Sequence, residues 1–311
     1  MGLTGITDGE IRREYWHTDF LSQLDGVSLR HNAGALFHGQ EDQPPLVTVT
    51  GKLAYVKPVM IDDFSFLKGI TRRTAKMTIP SPSMLHLRAG RAGIAADAYP
   101  ELGEFWEDAA AAYRGAIAGF AAAGCTYLQL DDVAFAYLGD EAFRARCRRN
   151  GDDPATLPGR YAQTINAALR GRPPGMTVTL HTCHGNFRSS AATRGGYAEI
   201  AEALFSCDVD GFFMEFDSEE EEKFAPLKLL PESKRVVLGL VTTKFGRMES
   251  EDALKRRIDE AARITSLDNL CLSPQCGFAS TYHGNEISEA DQWRKLELVV
   301  KVATDVWGSP A

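Results

Sequence analysis

Two short segments of the chain carry side chains that bind soft metals. His181-Thr182-Cys183 supplies an imidazole and a thiol, and Pro274-Gln275-Cys276-Gly277 supplies a second thiol. Sulfur combined with imidazole is the donor set that zinc selects. Strand-like stretches precede both segments, and about ninety residues separate them, which indicates a catalytic metal in a large barrel rather than a zinc finger. A metal that holds a substrate thiol would make the protein a thiol-alkylating enzyme.

The same pattern suggests a fourth ligand. His181 and Cys183 are two residues apart, so on a strand both project to one face, whereas His184 projects to the opposite face. Zinc generally needs at least three protein ligands, and Glu215 is the natural further candidate. Its carboxylate lies in an apolar run, residues 211–216, where it is costly unless it is paired or bound to metal. The candidate metal ligands are therefore His181, Cys183, Glu215 and Cys276.

The composition narrows the class of protein. The chain has 311 residues, of which 44% are hydrophobic and 24% charged, as is typical of a globular protein with a full-sized core. The formal net charge of −8 argues against nucleic-acid binding, which demands a basic face. No apolar run approaches ~20 residues and no leader-like segment opens the chain, so we expect a cytoplasmic protein without membrane spans. Six cysteines in a chain this long do not indicate a disulfide framework.

Strand-like runs alternate with helical patterns along the chain. One helical stripe has Pro100 suited to its first turn and Gly124 to its end. Ser250 can cap a later helix, and Ser288 with Asp291 resembles a capping box before the last one. This alternation, without a linker-like segment, predicts one α/β domain over residues 1–311 with a parallel sheet. The predicted strands are residues 46–54, 74–79, 126–131, 177–181, 211–216, 235–241 and 270–273.

The ends of the predicted strands favour a closed barrel over an open sheet. No Gly-x-Gly-x-x-Gly follows any strand, which removes the best sign of an open dinucleotide-binding sheet. Ionisable or polar residues follow nearly every strand, and in a β/α barrel those ends converge on one mouth, where such enzymes keep their chemistry. These residues are Asp131, Asp132, His181, Cys183, Glu215, Asp217, Lys244 and Cys276.

Five short motifs occur in one order along the chain. They are Asp8-Gly9-Glu10-Ile11-Arg12-Arg13, Leu128-Gln129-Leu130-Asp131-Asp132, His181-Thr182-Cys183-His184-Gly185-Asn186, Met214-Glu215-Phe216-Asp217 and Ser273-Pro274-Gln275-Cys276-Gly277-Phe278. The set resembles the catalytic barrel of cobalamin-independent methionine synthase, in its short single-barrel form, over essentially the whole chain. The resemblance implies a zinc-dependent barrel of the (β/α)8 TIM-barrel type with the four metal ligands named above. It also implies that Glu10 and Asp131 hold the amino group of homocysteine.

The carboxylates and a lysine can also be interpreted from their own chemistry. Two acids beside a zinc site could bind an ammonium group or act as general acid and base, which makes Asp131 a candidate catalytic residue too. Arg13 joins Glu10 and Asp131 as a candidate for substrate binding, and the alternative is a structural salt bridge between Asp131 and Arg13. Lys244 stands where the synthases keep a histidine credited as a proton donor. It is therefore a candidate catalytic residue, with a surface lysine as the alternative.

One departure from the family pattern concerns closure of the barrel. In the family, the first barrel strand carries a Gly-Ser-Phe-Pro-type segment that helps bind the substrate carboxylate, and no such segment precedes Asp8 here. We therefore expect seven barrel strands, the first ending at Glu10, without the family's first strand and helix. Residues 46–54 resemble an extra hairpin strand outside the ring. Either the chain is a truncated version of a longer protein, or another segment or a second subunit, as in a homo-oligomer, closes the gap.

A second departure concerns the methyl donor. Folate-binding synthases follow the strand that ends at Asp131 with Asp-Glu-Pro-Ala-Leu and then an acidic residue, whereas the segment 132–137 here is Asp-Val-Ala-Phe-Ala-Tyr. It lacks both the proline and that acid. A methylcorrinoid protein, or a small methylated thiol or sulfonium, is therefore an alternative to folate as the methyl donor.

The leading hypothesis from the sequence is Zn²⁺-dependent methyl transfer to homocysteine. Zinc coordination deprotonates a thiol at neutral pH and leaves its sulfur reactive, and Glu215 is the ligand we expect to yield when that sulfur arrives. Two alternatives remain open. One is a different alkyl transfer by a zinc thiolate, such as addition of coenzyme M to an epoxide. The other is a truncated, non-catalytic zinc-binding homologue.

Overall fold

The computed structural model describes residues 2–31, 43–216 and 221–308, so Asp217, named above among the strand-end residues, lies outside it. In these ranges the strands are β1 (Gly5–Ile6), β2 (Asp25–Arg30), β3 (Leu46–Ala54), β4 (Thr74–Pro80), β5 (Tyr127–Asp132), β6 (Thr177–Thr182), β7 (Gly211–Glu215), β8 (Arg235–Val241) and β9 (Leu270–Pro274). The α-helices are α1 (Thr18–Leu21), α2 (Ile61–Ile70), α3 (Leu102–Ala122), α4 (Ala134–Leu138), α5 (Glu141–Arg149), α6 (Leu157–Leu169), α7 (Ala201–Phe205), α8 (Glu251–Ala262) and α9 (Glu289–Trp307).

Seven of the described strands form one curled parallel sheet, a half-barrel with helices packed outside. Its order is β1-β4-β5-β6-β7-β8-β9, and each strand pairs in parallel with its neighbour. The remaining two, β2 and β3, form an antiparallel hairpin outside it. Both the seven-strand count and the position of residues 46–54 outside the ring agree with the prediction from the sequence. The α/β barrel-type architecture is thereby confirmed.

The first strand is shorter than the sequence suggested. β1 spans only Gly5–Ile6 and pairs with Thr74 and Ala75 of β4. Glu10, expected at the strand end, lies four residues further on in a left-handed conformation with φ 56°. The chain therefore turns sharply after β1, which brings the carboxylate of Glu10 over the end of β4 rather than along its own strand.

Alternation along the strands separates the core from the site. In β5, Leu128 and Leu130 are fully buried in the apolar core, whereas Gln129 and Asp131 between them project to the other face. The β5–β6 register places Asp131 opposite His181. Asp131, expected to bind the substrate, and His181, expected to bind the metal, are thus neighbours on adjacent strands.

Helix ends agree with the sequence at three of four positions. Ser250 accepts a hydrogen bond from Ala253 N–H, and Ser288 forms a complete capping box with Asp291. Gly124 lies just beyond the end of α3, as predicted. Pro100, however, precedes the Glu101 N-cap of α3 and is not in the first turn.

The ends of the sheet approach each other through their loops. Within the described ranges, β1 and β9 are the two ends of the strand order and do not pair. Tyr15, after β1, forms an antiparallel bridge with Thr281, after β9, and Tyr282 N–H donates to the Glu14 carbonyl at 3.3 Å. Contacts between these two loops therefore span the gap at the mouth. No helix in the described part of the chain has both the length and the apolar character needed to cross a membrane.

Candidate metal centre and substrate site

Four potential metal ligands meet at the mouth of the half-barrel. His181 lies in β6 and Cys183 directly after it, Glu215 ends β7, and Cys276 follows β9 by two residues. One ligand atom from each lies within 4.8 Å of all the others. Zinc bonds of about 2.0–2.3 Å imply separations of about 3.3–3.8 Å between ligands, so small side-chain movements bring this set to tetrahedral geometry. One nitrogen, two sulfurs and one carboxylate oxygen are a donor set that fits zinc.

Charge at these four residues favours a cation. Cys276 Sγ lies 3.9 Å from His181 Nε2. The Cys276 thiol donates a hydrogen bond to Cys183, which holds the pKa of Cys183 well below its usual range and the pKa of Cys276 well above it. Burial lowers the pKa of His181, but the charge of Cys183 and a hydrogen bond to it outweigh burial and raise that pKa to about 9. The negative charge that makes the imidazole basic also attracts a divalent cation.

Lys244 and Tyr197 flank the Glu215 ligand. Lys244 Nζ lies 3.9 Å from Glu215 Oε2, and the lysine is only 8% exposed, so the surface alternative is wrong. The Tyr197 hydroxyl donates to the Glu215 carbonyl at 3.1 Å and accepts from Glu215 N–H at 3.2 Å. Tyr197 thereby fixes the backbone of the carboxylate ligand, while the lysine ammonium faces its side chain.

The turn after β6 depends on a glycine. Gly185 adopts φ +84°, and a Cβ placed on it would lie 2.5 Å from the Tyr137 hydroxyl. The Gly185 N–H also donates a hydrogen bond to the Cys183 sulfur. Only glycine combines the left-handed backbone with this close approach. The turn thus holds the Cys183 ligand in place, and the Tyr137 hydroxyl packs against the turn at Gly185.

A pair of carboxylates lies on the other side of the mouth. Glu10 Oε1 accepts from the Thr78 hydroxyl at 2.5 Å and lies 3.1 Å from Arg13 Nη1. Arg13 Nη2 also donates to the Thr78 carbonyl at 2.6 Å. Asp131 Oδ1 accepts from Gln129 Nε2 at 2.6 Å. The structural ion pair of Arg13 is therefore with Glu10, and the alternative pairing of Arg13 with Asp131 is wrong.

Burial raises the pKa of both carboxylates. For Glu10, the Arg13 guanidinium opposes burial, and the charge of Asp131 adds to it. For Asp131, burial is opposed first by His181 and then by the Gln129 hydrogen bond. Asp131 is buried and Glu10 half-buried, and two acids close enough to repel each other are stabilised by a cation placed between them. This arrangement suits a substrate ammonium group.

Several residues of the site gave no signal in the sequence. Ser189 Oγ donates to the Lys244 carbonyl at 2.7 Å and accepts from Glu286 N–H at 2.8 Å. Asn285 Nδ2 donates to the Thr243 carbonyl at 3.2 Å. These bonds tie the loops after β6, β8 and β9 together around the lysine. Serines and asparagines are common in loops, so no pattern distinguished these two, nor Tyr137 and Tyr197.

The segment that departs from the folate-binding pattern is structural. Asp132 Oδ2 accepts from the Ser81 and Ser83 hydroxyls. Its Oδ1 accepts from Ala134 N–H at 2.7 Å and Phe135 N–H at 3.2 Å. Asp132 therefore holds the start of α4 against the loop after β4 and has no acceptor capacity directed at the mouth.

Comparison with known proteins agrees with this geometry. A model of the family described as "Cobalamin-independent synthase, Catalytic domain" matches residues 6–304. The uncharacterized protein YxjH of Bacillus subtilis is 45% identical over 99% of this chain and 82% of its own length. A methionine synthase of Pyrococcus abyssi is 25% identical over 87% of this chain and 69% of its own length.

A solved structure shares the fold. It is that of a Listeria monocytogenes protein provisionally named a vitamin-B12-independent methionine synthase. This chain matches it with a TM-score of 0.77 and 41% identity, over 99% of this chain and 82% of that one.

Proposed function

Because this chain belongs to the cobalamin-independent methionine synthase family through its catalytic domain, we propose that it transfers a methyl group to the thiol of homocysteine. The reaction is zinc-dependent in this proposal, and the ion is held by His181, Cys183, Glu215 and Cys276. The observation that carries the proposal is the convergence of these four ligand atoms within 4.8 Å of one another. Bound Zn²⁺ would lower the pKa of a substrate thiol, so that the thiolate is present at neutral pH.

Glu215 and Lys244 have a linked role in this proposal. A carboxylate is a harder donor than sulfur, so of the four residues that would hold the ion, Glu215 is the one that a substrate thiol would replace. Lys244 Nζ, 3.9 Å from Glu215 Oε2, can pair with the carboxylate after it moves. Lys244 thus keeps the displaced charge compensated in a buried position, and it is also placed to donate a proton at the mouth.

Glu10 and Asp131 hold the substrate ammonium group in this proposal. Arg13 then acts through Glu10, because its guanidinium is already bonded to Glu10 and to the Thr78 carbonyl. Fixing the amino-acid end of homocysteine determines where its sulfur lies, and such positioning accounts for much of the rate of an intermolecular transfer.

The donor remains a choice between folate, a methylcorrinoid protein and a small methylated compound. We propose further that residues 1–311 act as one catalytic domain and that the protein works in the cytoplasm, in keeping with its composition. A homo-oligomer is one arrangement in which a second chain could complete the mouth.

The test begins with metal content and thiol binding. Purified protein should contain about one equivalent of zinc. After substitution by Co²⁺, homocysteine should intensify the thiolate-to-cobalt absorption that Cys183 and Cys276 already produce, because a third sulfur enters the coordination sphere. Homoserine, which has oxygen in place of sulfur, is the matched control and should leave the spectrum unchanged.

Two results would contradict the proposal. A protein with less than half an equivalent of zinc, and no gain on zinc addition, rules out the metal site. The protein could instead bind zinc and respond to a different thiol, such as coenzyme M, but not to homocysteine. That result would contradict homocysteine as the substrate and support alkyl transfer to the other thiol.

A further inference from the structure

In the described part of the chain, two buried basic residues near the site lack the partners that burial usually requires. Arg88 lies in the loop after β4 and is 6% exposed, and His17 lies just before α1 and is 4% exposed. Arginine is seldom buried to this extent unless it is paired with an acid. Neither residue belongs to the metal centre or to the Glu10–Asp131 pair.

Arg88 uses only part of its donor capacity. Its Nη1 donates to the Pro44 and Pro45 carbonyls, both at 2.9 Å, while its buried Nε has no partner. Among the described residues no carboxylate pairs with Arg88. No described carboxylate pairs with Arg146 either, and Arg146 Nη2 donates to the Arg88 carbonyl at 3.3 Å. Burial lowers the pKa of Arg88 to about 10, and the charge of Arg146 contributes to this shift. Within residues 2–31, 43–216 and 221–308, the guanidinium is thus a buried cation without a counter-ion.

His17 has unused donor capacity next to this cation. Neither ring nitrogen has a hydrogen-bond partner in the described part of the chain. Burial, together with the positive charge of Arg88, lowers the pKa of His17 to about 3. The ring is therefore neutral at physiological pH and carries one N–H that can donate.

Tyr137 connects this pair with the metal ligands. Its hydroxyl packs against the Gly185 turn. Burial raises the pKa of Tyr137, with further influence from the charges of Cys183 and Arg88. Arg88 and the Cys183 ligand therefore both lie close enough to Tyr137 to act on its charge.

We propose that Arg88 and His17 form a subsite for a carboxylate group carried by one of the two reactants. This inference rests on the proposed function. The rest of the mouth carries Glu10, Asp131, Glu215 and two cysteines, so a carboxylate entering it is repelled unless a cation receives it. The planar guanidinium fork matches a carboxylate in a way that the neighbouring tyrosine cannot. The source is the α-carboxylate of the thiol acceptor or a carboxylate of the methyl donor.

Variants of two arginines in the same loop test the subsite. Arg88→Gln removes the buried cation. Arg91→Gln is the matched control, because among the described residues the Arg91 guanidinium donates only to the carbonyls of Ile94, Tyr99 and Pro100. Calorimetry on each zinc-loaded protein compares homocysteine with 3-aminopropane-1-thiol, which is the same molecule without its carboxylate. Binding of 5-methyltetrahydrofolate, which carries a glutamate tail, is measured in parallel.

If the acceptor carboxylate binds here, Arg88→Gln weakens homocysteine binding by about ten- to a hundredfold and leaves 3-aminopropane-1-thiol unchanged. His17→Phe, which keeps a ring but loses the donor, should produce a smaller loss of about three- to tenfold, again for homocysteine alone. If the donor carboxylate binds here, homocysteine is unaffected and the dissociation constant of 5-methyltetrahydrofolate rises by the same factor. Arg91→Gln should bind all three ligands as tightly as the wild type does.

The outcomes separate the two proposals. Unchanged binding of both carboxylate ligands to folded Arg88→Gln overturns the subsite and leaves the proposed function intact. An equal loss for homocysteine and 3-aminopropane-1-thiol also overturns it, since Arg88 would then only support the loop through Pro44 and Pro45. A wild-type protein that binds zinc but neither homocysteine nor 5-methyltetrahydrofolate overturns the proposed function and the subsite together.

Discussion

The two sides of the barrel mouth are built on different principles. On the side of β6, β7 and β9, four ligand atoms from separate strand ends face one another within 4.8 Å. On the side of β1, β4 and β5, two carboxylates lie near each other, and one of them shares its charge with Arg13. The first side combines two sulfurs and an imidazole nitrogen with one carboxylate, whereas the second has carboxylates alone. This difference corresponds to a reactant with a thiol at one end and an ammonium group at the other.

The sides also differ in how burial acts on their ionisable groups. A hydrogen bond from Cys276 holds the pKa of Cys183 well below its usual range, which favours negative charge on the metal side. Burial instead raises the pKa of Glu10 and of Asp131. A cation therefore has a favourable place on both sides, a metal on one and an ammonium group on the other. The predictions below test whether the two sides act independently.

The largest effect is expected from loss of a sulfur ligand. Cys276→Ser should reduce bound zinc from about one equivalent to less than half and activity by roughly a hundredfold or more, because oxygen replaces a preferred soft donor. Metal analysis and turnover measure both quantities. Cys271→Ser is the matched control on β9: that thiol lies outside the four-residue cluster and should retain zinc. Full zinc occupancy in Cys276→Ser would contradict the ligand assignment.

A smaller effect is expected on the carboxylate side. Asp131→Asn keeps the shape of the side chain but removes the charge that attracts the ammonium group. Homocysteine binding should weaken by about ten- to a hundredfold, the usual range for a charged hydrogen bond, while zinc content stays at the wild-type level. Binding of 4-mercaptobutanoic acid, which lacks the amino group, should not change. If Asp131→Asn loses zinc, the two sides of the mouth are coupled, which contradicts their independence.

His17 should make the carboxylate side sensitive to acid. Its pKa is about 3 when folded and near 6.5 when unfolded, so between these values the unfolded chain binds the extra proton. The stability that depends on neutral His17 is complete above pH 6.5 and falls as the pH decreases towards 3. Between pH 7 and pH 4.5 the wild type should lose about 2.5 kcal/mol more unfolding free energy than His17→Phe. Denaturant titrations at the two pH values measure this, and parallel losses would show that His17 is accessible to protons.

The smallest effect is expected at the boundary between the sides. Gly185→Ala forces a left-handed alanine and brings its Cβ to 2.5 Å from the Tyr137 hydroxyl, so we expect a loss of about 1–2 kcal/mol in stability. Adding Tyr137→Phe removes the hydroxyl and should recover part of that loss. A double-mutant cycle by thermal unfolding measures the coupling, and strictly additive losses would argue against the contact.

The four residues of the metal side were predicted from the sequence, whereas only some of the residues on the side of Glu10 and Asp131 were. Cysteine and histidine are rare and chemically specific, so their positions after strand-like runs predicted the cluster without a structure. Glu10 and Asp131 were predicted through the family resemblance. Arg88 and His17 were not predicted, because a basic residue in a sequence gives no sign of whether it will be buried without a partner. Ser189, Asn285, Tyr137 and Tyr197 were missed for a similar reason.

The sequence by itself determined the positions of β3 to β9, the caps at Ser250 and Ser288, and the identity of the four potential ligands. These properties follow from local patterns, namely the spacing of apolar residues, the residues that can cap a helix, and the chemistry of individual side chains. The tertiary structure decided the pairing of Arg13 with Glu10 rather than Asp131, the burial of Lys244 beside Glu215, and the contact of the loops after β1 and β9. Each of these depends on distances between segments remote in the chain, which only packing of the curled sheet determines.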